Sequence, residues 1–205
     1  MKADLNIIYV TNSFIEDNSN FTEKVFAREL NMKCIQSKVM RKLSFTEKPS
    51  GVAAICQIPK LNSPDESQSK WVYFDKISDP GNMGTLLRSA EYFGFNHIAL
   101  SPDCVDPFNP KVVRAGMGAQ FGLFIHTNVS LNHFTASHTL IGADKFGQST
   151  NQLSVPEYYV LVFGNEAHGL SDDSHDILNE LVKINKQGFG DSLNVAVAGS
   201  ILMHH

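Results

Sequence analysis

Cysteine is scarce in this chain. Three occur in 205 residues, at Cys34, Cys56 and Cys104, far apart and with no CxxC pair. That excludes a disulfide framework and the common zinc sets, and the expectation is reduced, buried thiols. No apolar run approaches the length of a membrane span. The opening MKADLNIIYV lacks the charged-then-apolar layout of a signal peptide, so a cytoplasmic protein is expected. An excess of positive charge is also missing: 17 Lys and Arg face 21 Asp and Glu, net −4. This argues against indiscriminate nucleic-acid binding through a globally basic surface, and leaves room for a local basic patch. The eight histidines form no HxH or HxxxH pair, so no metal is expected. There is no GxSxG elbow, no internal repeat and no low-complexity tract. The glycines of GMGAQFG, Gly116 to Gly122, have the third one place late and follow a helix instead of a strand, which speaks against a dinucleotide loop.

What is present is a globular composition, 42% hydrophobic and 19% charged, at a length that suits one large domain or one large and one small. Residues 1–59 alternate strand and helix: Ile7 to Val10, a helix over Phe21 to Leu30, a short strand at Cys34-Ile35, a basic helix over Ser37 to Leu43, and a buried strand GVAAICQI from Gly51 to Ile58. This small block begins at a strand with no preceding helix, and reads as a partial domain. Residues 60–70, polar and broken by proline, read as a linker. From 71 to 205, apolar runs recur at Trp71–Phe74, Ile98–Leu100, Leu123–Ile125, Leu140–Ile141, Tyr159–Phe163 and Leu181–Ile184. Helices fall between them, one opened by Asn109-Pro110 and another running from Asp172 to Leu181. The alternation predicts an α/β fold: a mostly parallel sheet with helices on both faces.

Three stretches carry candidate chemistry. In DPGNMGTLLRSAEYFGF, turn residues Asp79 to Asn82 precede a helix from about Thr85 to Phe93, stopped by Gly94. Leu86, Leu87, Ala90 and Phe93 share one face and Arg88 points away, either as a solvated residue or toward a ligand at the strand's carboxyl end. In LVFGNEAHGLS, Gly164, Asn165 and Glu166 follow an apolar strand, an arrangement suited to a polar small molecule or to Glu166 capping the next helix. In DSLNVAVAGSILM, Asp191-Ser192 predicts an N-cap for a helix from Leu193 onward. Its small residues invite close approach of another backbone.

In this order and spacing, the three stretches resemble the motifs of the SpoU/TrmH family of RNA methyltransferases. KVVRAGMGAQFGLFI, Lys111 to Ile125, resembles the segment between the first two. VMRKLSFTEKPSGVAAICQI, Val39 to Ile58, looks like the second half of the family's ribosomal-protein-like substrate-binding domain, and an incomplete form of that domain is expected. The resemblance implies a SPOUT fold, whose C-terminal segment is threaded into a deep trefoil knot, and a homodimer with active sites at its interface. It implies S-adenosylmethionine held by Gly164, Ile184 and Leu193, with Asn165 nearby. Asn82, Arg88, Glu166, Ser192 and Asn194 match the polar active-site positions, and the reaction is methylation of a ribose 2′-hydroxyl. Asn185 stands where the family commonly has proline, Ala167 where glycine is frequent, and the last helix is shorter than usual.

By the resemblance, Arg88 is the proposed general base. A free guanidinium keeps its proton, with a pKa above roughly 12. On chemical grounds we prefer two tasks for it: bidentate contact to an RNA phosphate, and polarisation of the 2′-oxygen as it becomes anionic. Lys38, Arg41, Lys42, Lys111 and Arg114 are the basic candidates for RNA selection. Ribosomal RNA is favoured as substrate over transfer RNA. The rivals are a base methyltransferase of the wider knotted superfamily, which should lack the Asn82–Arg88 pair, and a non-catalytic knotted RNA-binding or assembly protein.

Overall fold

The computed structural model describes residues 4–44, 46–61 and 63–205. Residues 1–3, 45 and 62 fall in the opening segment, the first block and the linker read from the sequence, and lie outside the described residues. The chain forms two compact units, one up to Lys60 and one from Leu61 to His205.

In the first unit the order is β1 (Asp4–Val10), α1 (Asn12–Asp17), α2 (Ser19–Ala27), β2 (Met32–Cys34), α3 (Ser37–Leu43) and β3 (Val52–Gln57). β1 is central, parallel to β2 and antiparallel to β3. Ile8, Val10 and Val25 are its buried centre, and Phe14 meets Phe21 edge to face at 5.3 Å. Helix α2 stops short of the expected Leu30. Glu29 turns left-handed (φ 52°), and the Leu30 N–H returns to the Val25 carbonyl, closing a Schellman-type end. The expectation of a buried β3 fails, because it is an edge strand with Ile55 51% exposed. Buried thiols are also not the rule: Cys34 is exposed and donates to Asn12 Oδ1 at 2.8 Å.

The second unit runs β4 (Lys70–Phe74), α4 (Pro80–Tyr92), β5 (His97–Leu100), α5 (Pro110–Ala115), β6 (Phe124–His126), β7 (Thr139–Ser149), β8 (Tyr159–Phe163), α6 (Asp172–His175), β9 (Glu180–Lys183) and α7 (Val195–His204). Its sheet has the order β6-β5-β4-β8-β7-β9, with every pair parallel. Strand alternation divides the core. Val72, Phe74, Leu161 and Phe163 face one layer with Leu86, Leu87, Ala90 and Val112, whereas Trp71, Tyr73, Val160 and Val162 face the other. The second layer is built from a turn at Leu131–Phe134 and from Leu170, Ile177 and Leu178, so long helices cover only one face.

Three helices of this unit differ from the sequence reading. Helix α4 begins at Pro80, not Thr85: the Asp79 carboxylate accepts the Asn82 N–H at 2.8 Å and Pro80 occupies the first helical position. Helix α6 is a single turn and does not reach Leu181. Asn179 hooks onto β7, its Oδ1 accepting the Leu140 N–H (2.8 Å) and its own N–H donating to the Leu140 carbonyl (3.0 Å), and the chain leaves extended as β9. Helix α7 starts at Val195 because Asn194, not Asp191 or Ser192, caps it. In GMGAQFG, Gly116 is packed against Gln120 and the Gly84 carbonyl, and Gly118 turns left-handed (φ 86°). At Gly84 a Cβ would sit 2.6 Å from Ala115 Cβ and 2.7 Å from the Gly116 nitrogen, so α4 and α5 cross there with nothing between them.

Candidate active site

Leaving β4, the chain builds β5 and β6 on one side and then crosses to build β7 and β8 on the other. The order therefore reverses between β4 and β8, and the crevice outside their carboxyl ends is where such sheets place ligands. Asp75, the residue after β4, is only 2% exposed, and its Oδ2 accepts the Ser171 N–H at 2.8 Å. Asn165 Nδ2 donates to the Lys76 carbonyl at 2.8 Å. These two bonds pin the loop after β8 to the loop after β4.

Within the pinned loop, Gly164 is buried, and a Cβ there would run into the Gly169 backbone. Asn165 and Gly169 exchange backbone hydrogen bonds (2.8 and 2.9 Å), and Asn165 Oδ1 accepts the N–H groups of Ala167 and His168. The Asn165 side chain is thus committed to shaping the loop. Glu166 does not cap the next helix. Ser171 does, its hydroxyl accepting the Ser174 N–H.

The third stretch joins here. Asn194 Oδ1 accepts the N–H groups of Ala196 (2.9 Å) and Val197 (3.3 Å), which fixes which end of its amide faces the helix. Its Nδ2 must then point outward, and it donates to Asn82 Oδ1 at 2.9 Å. Asn82 in turn presents its own Nδ2 to Glu166 Oε1, also at 2.9 Å. Each amide orientation dictates the next, and the relay ends on a carboxylate oxygen that must act as acceptor. Asn82, Glu166 and Asn194 therefore come together from three remote segments.

Other expected site residues stand nearby or apart. Ser192 is exposed, Leu193 is 52% exposed, and Ile184 is half-buried against the core. From Asn185 to Leu193 the backbone makes no hydrogen bond to other backbone among the described residues. Arg88 is exposed on α4, about 9 Å farther along the axis than Asn82 at roughly 1.5 Å per residue. It has no hydrogen-bond or ion-pair partner among the described residues. Lys111 and Arg114 lie exposed on α5, and Lys38, Arg41 and Lys42 share one exposed face of α3 in the first unit. No group of three His, Cys, Asp or Glu side chains among the described residues could hold a metal, and none of their helices is long and apolar enough to cross a membrane.

The sequence model of the SpoU rRNA Methylase family matches residues 69–204. The chain belongs to this family. A tRNA/rRNA methyltransferase of Synechocystis, itself uncharacterized, is 27% identical over 92% of this chain and 72% of its own length. The 23S rRNA (guanosine-2′-O)-methyltransferase RlmP of Bacillus subtilis is 28% identical over 78% of this chain and 66% of its own. Among solved structures, the rRNA methyltransferase of Sinorhizobium meliloti with AdoMet bound superposes with a TM-score of 0.79. It is 25% identical, over 98% of this chain and 78% of that one. As a SpoU-family protein the chain is an RNA methyltransferase, and S-adenosylmethionine is the donor the family uses. The family match begins one residue before β4 and takes in the whole sheet of the second unit.

Sequence reasoning misses two residues of this candidate site. Asp75 ends the apolar run WVYFD, and a carboxylate closing a buried strand is its available signal. Asp79 reads as part of a turn, whereas its carboxylate starts the helix that aims Asn82.

Proposed function

We propose that this chain transfers the methyl group of S-adenosylmethionine to a ribose 2′-hydroxyl of ribosomal RNA. The observation that carries the reading is the relay Asn194–Asn82–Glu166, which places a hydrogen-bonded carboxylate at the reversal point of the sheet. The name of the Bacillus subtilis relative, a 23S rRNA 2′-O-methyltransferase, supports ribose over base and ribosomal over transfer RNA.

The loops fit the donor. A nucleoside with a charged tail needs backbone N–H and C=O groups without other partners and apolar surface beside them; the backbone at Asn185 and Ser192 offers the first, and the side chains of Ile184 and Leu193 offer the second. Those residues and the Gly164 backbone would hold it, with Asn165 keeping the loop in shape. Bound there, it supplies an electrophilic methyl group. The chain's own residues do the rest. Glu166, oriented by Asn82, accepts or orients the proton of the weakly acidic hydroxyl. Ser192 and Asn194 hold neighbouring groups, and Arg88 grips a phosphate and stabilises the oxygen as charge develops on it.

Two finer readings belong to the same proposal. The first is a C-terminal trefoil knot, which would draw the segment around β9 through the excursion Asp144–Gly147. It is supported by the backbone of Leu181 and Val182 lying against Gly147, where a Cβ would sit 2.5 Å from it, and by Val182 facing both Ala143 and Gln148 of β7. The second is a homodimer in which Arg88 completes the partner's site. It is supported by an arginine with no partner in its own chain among the described residues and by the exposed apolar residues Val197 and Ile201 of α7. Residues 1–59 are read as part of an RNA-binding domain, with Lys38, Arg41 and Lys42 facing RNA.

The test is labelled methyl transfer to ribosomal RNA with the product mapped for 2′-O-methyl ribose. An Arg88→Ala copy and a Glu166→Gln copy, each inactive alone, should regain activity when mixed, since one hybrid site is then intact. Methyl on a base, or none, overturns the activity. Mixtures that form mixed dimers and stay inactive place Arg88 in its own chain's site.

A further inference from the structure

Exposed aromatic rings on the second unit differ in what already covers them. Tyr92, 83% exposed, has its ring edge-on to Phe93. Phe146, 81% exposed, carries the Lys145 ammonium 5.1 Å above its ring. Phe124 is stacked on His97, and Tyr158 meets His138. Phe189 alone in this set has no ring or cation contact among the described residues, and its relative exposure is 109%. Both faces of the ring are open.

Its placement is as telling as its exposure. Phe189 sits between Gly188 and Gly190, three residues before Ser192 and five before Asn194, in the segment whose backbone bonds to no other backbone. Gly190 adopts φ +125°, a conformation side-chain-bearing residues rarely take, so the turn that follows the ring depends on glycine. Lys183 closes β9 and Lys186 lies in the segment itself, and neither has a carboxylate partner among the described residues. An uncovered aromatic ring three residues from an unpaired ammonium group matches the chemistry of an unstacked nucleobase with its phosphate. A ribose 2′-hydroxyl cannot approach Glu166 without its own base and those adjoining it, and these need a surface once unstacked.

We propose that Phe189 is the stacking platform for a nucleobase of the RNA at or next to the modified ribose, with Lys186 on the adjoining phosphate. This rests on the RNA 2′-O-methyl transfer proposed above. The platform accepts any base, because every base has a π face, so it contributes affinity and placement while sequence choice comes from elsewhere.

The experiment compares wild type with F189W, F189L and F189A. RNA affinity is read with a short single-stranded oligoribonucleotide of mixed sequence, donor affinity by calorimetry, and oligomeric state by light scattering. Trp71, the single native tryptophan, is fully buried, so the emission of F189W reports the loop. Adding the oligonucleotide should quench that emission. F189A and F189L should each bind it about tenfold or more weakly, with donor affinity and oligomeric state unchanged, and F189W should bind as wild type does. Wild-type affinity in F189L removes stacking from the account. A loss of donor affinity in F189A assigns the ring to the cofactor, and a change of oligomeric state assigns it to a contact between copies; either overturns the proposal. Wild-type protein that neither binds nor methylates RNA overturns the activity itself, a result separable from a failure confined to the Phe189 variants.

Discussion

At the scale of single residues, Asn194 has two tasks on two different atoms. Its oxygen caps α7, and its nitrogen orients Asn82 and so Glu166. Aspartate separates them. Asn194→Asp keeps the acceptor, and Asp and Asn are comparable N-caps, so the unfolding free energy should move by no more than about 0.5 kcal/mol. The donor to Asn82 is lost and a carboxylate faces an amide oxygen. The Asn82 amide then turns its nitrogen to the new carboxylate and forfeits its bond to Glu166, so turnover should fall about tenfold or more, in line with about 1.5 kcal/mol or more for a hydrogen bond to a charged group. Asn194→Ala should lose both tasks and cost about 1 kcal/mol of stability in addition. Urea unfolding and turnover measured on the same preparations decide this, and an Asn194→Asp enzyme with normal turnover would sink the relay.

At the scale of elements, the question is what holds α7 where Asn194 needs it. The helix docks on α4 through a notch and a clasp. Gly199 leaves the room that Leu86 fills, and a Cβ at 199 would run into the end of the Leu86 side chain. Beside it in the same interface, the Ser200 hydroxyl donates to the Ala196 carbonyl (2.7 Å), which leaves Ser89 to donate to Ser200 at 2.6 Å. In a free helix Gly→Ala stabilises by about 1 kcal/mol. Here overpacking should outweigh it, at about 1–3 kcal/mol, so Gly199→Ala should lower the unfolding midpoint and reduce turnover as Asn194 shifts. Leu86→Ala empties the space the new methyl needs. The double variant should therefore be more stable than the sum of the single effects by about 0.5 kcal/mol or more. Additive effects would mean that the two side chains do not compete for one space.

At the scale of the whole molecule, the strands and the gathering of three motifs are legible because buried parallel strands are short apolar runs and polar motifs sit at their ends. Lys70–Phe74 and Tyr159–Phe163 read directly from WVYF and YVLVF. What does not read is set by partners distant in sequence. Asn179 ends α6 by bonding Leu140, and Ala143 and Gln148 share Val182 because β7 makes an excursion that no period announces. The relay bonds themselves also lie beyond composition and spacing, since no spacing says which amide oxygen faces a helix. Charge is the property that the sequence states and only the whole molecule can interpret. With net charge −4, RNA must be met by local patches, and the exposed faces of α3 (Lys38, Arg41, Lys42) and α5 (Lys111, Arg114) are the candidates. Each cation withdrawn from a phosphate should reduce the slope of log affinity against log salt by about 0.7–0.9. Changing all five to glutamine should flatten that slope by about four if every one of them touches phosphate, and the α3 triple and the α5 pair should divide the change between them. Lys33 and Lys48, exposed elsewhere on the first unit, are the control for overall charge. Replacing them should shift affinity slightly while keeping the slope, because counterion release follows the number of phosphates neutralised, not net charge. A slope unchanged by the five substitutions removes both faces from the interface and leaves recognition to the loop around Phe189 and to Arg88 of α4.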